Sequence, residues 1–208
     1  MRFKPPLLLR RLFPSLVWSI PGSTSKQDSG EVFLTFDDGP TPGVTEWILS
    51  QLDEYGARAT FFCLGKNVER HPELCRRILE AGHRIGNHSY DHARGWEMSA
   101  GNYARSVEHA REFIDSDLFR PPYGRITRRE ARLLALHYRI VMWNVISRDY
   151  SRRVAPEKCL RNVVRHVRPG DIVVFHDSQK AFRNLEYALP RVLRFLQEQG
   201  MSSKTIEL

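Results

Sequence analysis

Short continuous apolar runs, each closed by a turn and followed by a helical pattern, limit what this chain can fold into. The first is Val32-Phe33-Leu34-Thr35-Phe36. Ala59-Thr60-Phe61-Phe62-Cys63-Leu64, Arg84-Ile85-Gly86-Asn87, Leu118-Phe119-Arg120, residues 139–143 and Ile172-Val173-Val174-Phe175 continue the series, and residues 203–207 add a last short strand. Apolar spacing predicts helices over residues 44–55, 72–81, 99–115, 127–137, 156–166 and 185–199. Strands that are apolar throughout, rather than alternating, belong to a parallel sheet covered by helices. The expected fold is therefore α/β, with about six or seven parallel strands, short of the eight of a closed (β/α) barrel. No Gly-x-Gly-x-x-Gly follows the first strand, which disfavours a dinucleotide-binding fold.

The chain has 208 residues, enough for one domain with a sizeable core. Residues 1–30 read as a basic, apolar leader and a polar linker, and residues 31–208 as the folded domain that carries the candidate functional residues. The leader's apolar stretches are broken by Arg10-Arg11 and Pro14, and none approaches the length of a membrane span. Ile20-Pro21-Gly22 is a poor signal-peptide cleavage site. The leader either packs on the domain or lies on a membrane or other anionic surface, which favours a cytoplasmic or membrane-peripheral location. The net charge of +8 comes from basic residues spread along the chain, so it reads as a solvated exterior; no nucleic-acid motif accompanies it. Cys63, Cys75 and Cys159 are too few and too far apart for a disulfide framework or a zinc knuckle.

The chemistry lies at strand ends. Asp37 and Asp38 follow the first run and precede the Gly39-Pro40 turn. Taken alone they fit a polar turn. However, His88 and His92, Arg120, Asp149 and His176 also follow predicted strands, and in a parallel barrel such positions converge on one face. The four-residue spacing of His88 and His92 puts both imidazoles on one side of a helical turn. With Asp38 as third ligand they make a divalent-metal site with open positions. Asp37, pointing the other way from Asp38, suits a general base, and His176 a general acid. Metal activation of water completes a hydrolytic reading.

Thr35-Phe36-Asp37-Asp38-Gly39-Pro40, His88-Ser89-x-x-His92, Arg120-Pro121-Pro122-Tyr123-Gly124 and Val174-Phe175-His176 together resemble the polysaccharide deacetylases of carbohydrate esterase family 4, in the family's order and from about residue 31 onwards. The resemblance implies a distorted, incomplete (β/α) barrel that removes N-acetyl groups from amino-sugar-containing glycans. It implies that Asp38, His88 and His92 hold Zn2+ (or Co2+, Mn2+ or Ni2+), that Asp37 is the base and that His176 is the acid. It further implies that Arg120 pairs with Asp37 and that the Tyr123 N–H is an oxyanion donor.

One stretch departs from the family's pattern. Where the family typically has Asp-x-x-Asp-Trp, this chain has Ile146-Ser147-Arg148-Asp149-Tyr150. Asp149 is retained to orient His176, while Ile146 and Tyr150 alter the substrate groove. Trp143, Tyr150 and Trp96 are candidate sugar-stacking surfaces, although each also suits a core. Rival readings are a hydrolase of non-sugar amides on the same scaffold and a carbohydrate-binding protein that has lost catalysis; the second predicts a missing ligand, base or acid, and none is missing. The identity of the glycan and the oligomeric state stay open.

Overall fold

The computed structural model describes Arg11, residues 13–21 and residues 30–208. At its centre β1 (Glu31–Asp37) is buried on both faces, which explains its unbroken apolar run. Val32, Leu34 and Phe36 pack with the surrounding helices, whereas Phe33 joins Phe62, Leu118, Val141 and Ile172 on the other face. Phe36 lies between Phe61 and Phe175, with ring centroids 5.0 and 5.9 Å away. It thereby ties β1 to both neighbours, β2 (Ala59–Cys63) and β7 (Ile172–His176).

The remaining strands are β3 (Arg84–Asn87), β4 (Leu118–Phe119), β5 (Arg139–Ile140), β6 (Val145–Ile146) and β8 (Ser202–Ser203). Seven of them form one parallel sheet in the order β5-β4-β3-β2-β1-β7-β6, and β8 pairs with the start of β1. Helices α1 (Val44–Glu54), α2 (Gly65–Arg70), α3 (Pro72–Glu80), α4 (Ala100–Arg111), α5 (Arg128–Leu134), α6 (Pro156–Val164) and α7 (Gln179–Glu198) complete the α/β architecture. The expected incomplete barrel is thus a curled half-barrel.

β5 and β6 are at opposite ends of the sheet order, yet only residues 141–144 separate them. The five steps from Ile140 to Val145 reach at most about 18 Å, so the two edges must curl towards each other. Val141 N–H donates to Phe119 O on one side, and Asn144 N–H donates to Ile172 O on the other. The seam holds part of the leader. Val17 N–H donates to Ile140 O, Met142 N–H donates to Val17 O and Ile20 N–H donates to Gly170 O, while Leu16 and Trp18 are buried. This segment supplies backbone partners to edges that would otherwise be left unpaired. Leu7–Leu9 and most of the polar linker lie outside the described residues. Among the described residues no helix is long and apolar enough to cross a membrane.

Local differences from the sequence expectations have physical causes. The strand expected over 139–143 stops at Ile140, because Val141 onwards crosses the seam. β6 is only two residues long, too short for a periodic signal. The last helix begins at Gln179 rather than at residue 185: Gln179, Lys180, Arg183 and Asn184 blur the apolar spacing of its start, but Ala181 and Asn184 are buried. α2 carries one buried apolar side chain, Val68, and so has no apolar stripe to read.

Replacing Phe36 with Ala removes the ring that joins three strands. It is expected to cost about 3–5 kcal/mol, the usual range for a buried Phe. Denaturant unfolding measures this, and a cost below about 1 kcal/mol would show that the β2–β1–β7 stack is not the centre of the core.

Candidate active site

Asp37 ends β1 with its side chain buried, and Asp38 follows in a left-handed conformation with φ 82°. The backbone reversal is what turns the two carboxylates apart. Asp37 Oδ1 accepts from the Arg120 guanidinium at 2.7 Å. Arg120 is fully buried; it also donates to Thr35 Oγ1 at 2.7 Å, to Met142 O at 3.1 Å and to Val141 O at 3.3 Å. Burial works against the Asp37 carboxylate, but Arg120, with His88 and His176, outweighs it and holds the group below the ordinary carboxylate range.

His88 follows β3, and Arg120 fixes it as well: His88 Nδ1 lies 2.7 Å from Arg120 O. A carbonyl accepts only, so Nδ1 carries the proton and the Nε2 lone pair is free. His88 Nε2 is 3.7 Å and His92 Nε2 3.3 Å from Asp38 Oδ1. The two histidines do not share a helical turn, as their spacing suggested. They sit on a loop in which Ser89 (φ 65°) and His92 (φ 64°) are left-handed. Asn87 Oδ1 accepts from Ser89 N–H and Ser89 Oγ accepts from Ala93 N–H, which hold the loop. Four-residue spacing cannot distinguish that loop from a helix.

The three groups suit a divalent cation. Their ligand atoms lie within 4.8 Å of one another. Asp38 Oδ1 is buried with no hydrogen-bond partner, an arrangement that costs stability unless a cation supplies the missing contact. Burial pushes His88 down to about 4, and burial together with His88 does the same to His92, so both imidazoles are neutral lone-pair donors. Burial beside Asp37 and Asp149 raises Asp38 despite the neighbouring histidines.

On the opposite wall His176 ends β7. Its Nδ1 and backbone N–H both donate to Asp149 at 2.8 Å. Asp149 is fully buried and also accepts from Ser147 Oγ and Tyr150 N–H. Burial alone would lower His176, but the charge and hydrogen bond of Asp149, with Asp38 and Asp37 behind, raise it to about 9. With Nδ1 engaged, Nε2 is the nitrogen left for the cleft.

Tyr123, φ 60°, lines the cleft, and its N–H has no acceptor among the described residues. Gly124 beside it must be glycine: its φ is 62°, and a Cβ would run into the Trp143 ring. The cleft encloses about 470 Å³, and all of Asp37, Asp38, His88, His92, Tyr123 and His176 line it. Trp143 and Tyr150 also line it; Trp96 stands outside, 5.0 Å from the Tyr123 ring.

The sequence did not reveal Asp177. It reads as a turn residue, but it is fully buried, accepts from Thr45 Oγ1 at 2.7 Å and donates its N–H to Asp37 O at 2.7 Å. Burial, with Asp38 and Glu46, raises it to about 8 despite the Thr45 hydrogen bond. Its carboxyl fills the space where a Cβ on Gly39 would stand, which packs the Asp-Asp-Gly-Pro turn from beneath.

The polysaccharide deacetylase family model matches residues 24–140. A peptidoglycan-N-acetylglucosamine deacetylase of Bacillus cereus is 32% identical over 96% of this chain and 96% of its own length. A solved peptidoglycan N-acetylglucosamine deacetylase superposes with a TM-score of 0.86 at 28% identity, covering 97% of this chain and 95% of its own. A family 4 carbohydrate esterase from Streptomyces lividans, in complex with acetate, gives 0.77 at 30% identity over 86% and 93%.

The His176–Asp149 pair generates a pH prediction. In chelator-treated protein, His176 should titrate near 9 by NMR, and Asp149→Asn should lower that value by at least about one unit. Because the folded pKa is raised, the stability contributed by this proton is complete below about 6.5 and lost as pH rises through about 9. An unchanged titration in Asp149→Asn would dissolve the pair.

Proposed function

The chain belongs to the polysaccharide deacetylases of carbohydrate esterase family 4, and from that premise we propose how its cleft hydrolyses the N-acetyl amide of an amino sugar within a glycan. The observation that carries the reading is the orphaned, buried Asp38 Oδ1 facing two neutral imidazoles, with an ionised carboxylate on one side and a protonated histidine on the other. Asp38, His88 and His92 would hold the cation, and a donor set of two imidazoles and one carboxylate suits Zn2+. When bound, the ion supplies Lewis acidity, polarising the acetyl carbonyl and lowering the pKa of the attacking water.

The chain's own residues do the rest. Asp37, ionised because of Arg120, takes the proton from the attacking water. The same pairing makes Asp37 a weak base, which the acidified water offsets. The Tyr123 N–H donates to the carbonyl oxygen as negative charge develops there. His176, protonated through Asp149, delivers its Nε2 proton to the amine nitrogen as the C–N bond breaks. Acetate and the free amino sugar result. The relatives that act on peptidoglycan support a cell-wall glycan as the substrate. A binding protein that has lost catalysis would lack a ligand, the base or the acid, and a residue of the right chemistry for each of these roles lines the cleft, which supports the enzyme reading.

Acetate release from N-acetylated glycans, with chelator and with Zn2+ restored, tests the activity; no release from any glycan would overturn it. Metal analysis of purified protein should find about one equivalent, lost in His88→Ala. Equal metal content in that variant would remove His88 from the ligand set.

Asp37→Asn should keep the metal and lose nearly all turnover, because an amide cannot accept the proton. His176→Ala should cost on the order of 10²–10⁴-fold in kcat, and Asp149→Asn should move the alkaline limb of the rate profile to lower pH, since the acid then deprotonates earlier. If Asp37→Asn instead loses metal and regains activity on reconstitution, the roles of the two aspartates are exchanged.

A further inference from the structure

Each carboxylate in the cleft has its own setting, Asp38 being the one that awaits a cation. Asp37 has Arg120, Asp38 faces the two histidines, and both Asp149 oxygens are taken by His176, Ser147 and Tyr150. Two cations that line the same cleft have no such match. Arg148 makes no side-chain hydrogen bond or ion pair among the described residues, and its Nε is buried without a partner. Lys180, in the first turn of α7, is exposed and likewise unpaired among the described residues.

Arg148 is held in place by its neighbours. Ser147 and Asp149 on either side are fully buried, and Arg148 itself is left-handed, φ 65°. Ile146, two residues earlier, lines the cleft too. A carboxylate there, as in the Asp-x-x-Asp-Trp pattern from which this chain departs, would stand in the same wall as Arg148. With Ile146 at that position, this stretch of the wall offers Arg148 no carboxylate. A buried guanidinium N–H without an acceptor is destabilising, and a planar anion is the chemistry that relieves it.

We propose that Arg148 and Lys180 form an anion-binding subsite in the wall of the cleft, so that the protein selects glycans bearing a negatively charged substituent, a carboxylate or a phosphate, near the N-acetyl group. This rests on the deacetylase reading and narrows it to acidic glycans. The ether-linked lactate of muramic acid is one such carboxylate, and a sugar phosphate is the other source.

The test compares four ligands of equal length: an alternating tetrasaccharide of N-acetylglucosamine and N-acetylmuramic acid, its methyl ester, an N-acetylglucosamine tetramer and the same tetramer phosphorylated at a 6-hydroxyl. Binding to Zn2+-loaded protein is measured by calorimetry in the Asp37→Asn background, which prevents turnover. The free acid or the phosphate should bind about tenfold tighter than its neutral counterpart, as a charge-assisted contact requires. Arg148→Gln should erase that ratio and leave the neutral ligands within about twofold. Ile146→Asp should reduce it by offering Arg148 an internal partner, and Lys180→Gln, at an exposed helix end, repeats the test if Arg148→Gln does not fold. Equal binding of charged and neutral ligands, or an equal loss for both in Arg148→Gln, overturns the subsite. Acetate release by the intact enzyme is read separately. Release without an anion preference sinks the subsite alone, and an anion preference without release sinks the deacetylase reading alone.

Discussion

One buried guanidinium connects the parts of this protein. Arg120 has no exposed surface, stacks 4.0 Å above the Phe62 ring and donates to Asp37, Thr35, Val141 and Met142. Its own carbonyl accepts from His88. A single residue therefore holds the proposed base, orients a proposed metal ligand and fastens the residues that cross the barrel seam. Burying a charge is costly, and removing one partner of such a pair typically costs about 3–5 kcal/mol. That cost makes the site cooperative with the fold: Asp37 cannot shift without leaving Arg120 uncompensated in the core.

The second constraint is backbone strain at the mouth. The five described non-glycine residues with positive φ are Asp38, Ser89, His92, Tyr123 and Arg148, at 60–82°. All of them lie in the segments that follow the C-terminal ends of strands, and four of them line the cleft. Each left-handed conformation costs on the order of 1 kcal/mol or more, and such costs persist where the surroundings impose them. Here the sheet imposes them. Asp38 N–H donates to Phe62 O, Asn67 holds Asp38 O, and Leu64 N–H donates to Gly39 O. The strain re-aims successive side chains, so that Asp37 and Asp38, or His88 and His92, present different faces to one point.

This explains how far the sequence could be read. The long apolar runs β1, β2 and β7 are legible because both of their faces are buried, and strand-end polar residues follow directly from them. The proposed metal-site triad, Asp37, Arg120, Asp149 and His176 all come together as the motif positions indicated. The route by which they do so was not legible. The loop that carries His88 and His92 shares its spacing with a helix, and no residue type in it announces a positive φ. Closure of the seam by Val17 and Ile20 depends on partners more than a hundred residues away. Asp177 has the composition of a turn residue, and its burial is set by Thr45 and Gly39, neither of which flanks it.

The electrostatics of the cleft follow from the same placement. Asp37 and His176 pair with each other across β1 and β7 in the sheet register, so the proposed base and the proposed acid face the same small volume. Left to burial alone, both would tend to be neutral. Arg120 lowers Asp37 and Asp149 raises His176 to about 9, which drives the two groups apart in proton affinity. Across neutral pH the base is then empty and the acid full, the pairing that a hydrolysis with one proton removed and one delivered requires. Asp177 lies beneath the same turn with its acidity moved the other way, to about 8, so at neutral pH it packs as a largely neutral carboxyl. It supports Gly39 without adding another negative charge behind Asp38, and the cation site keeps the charge that its own three groups define.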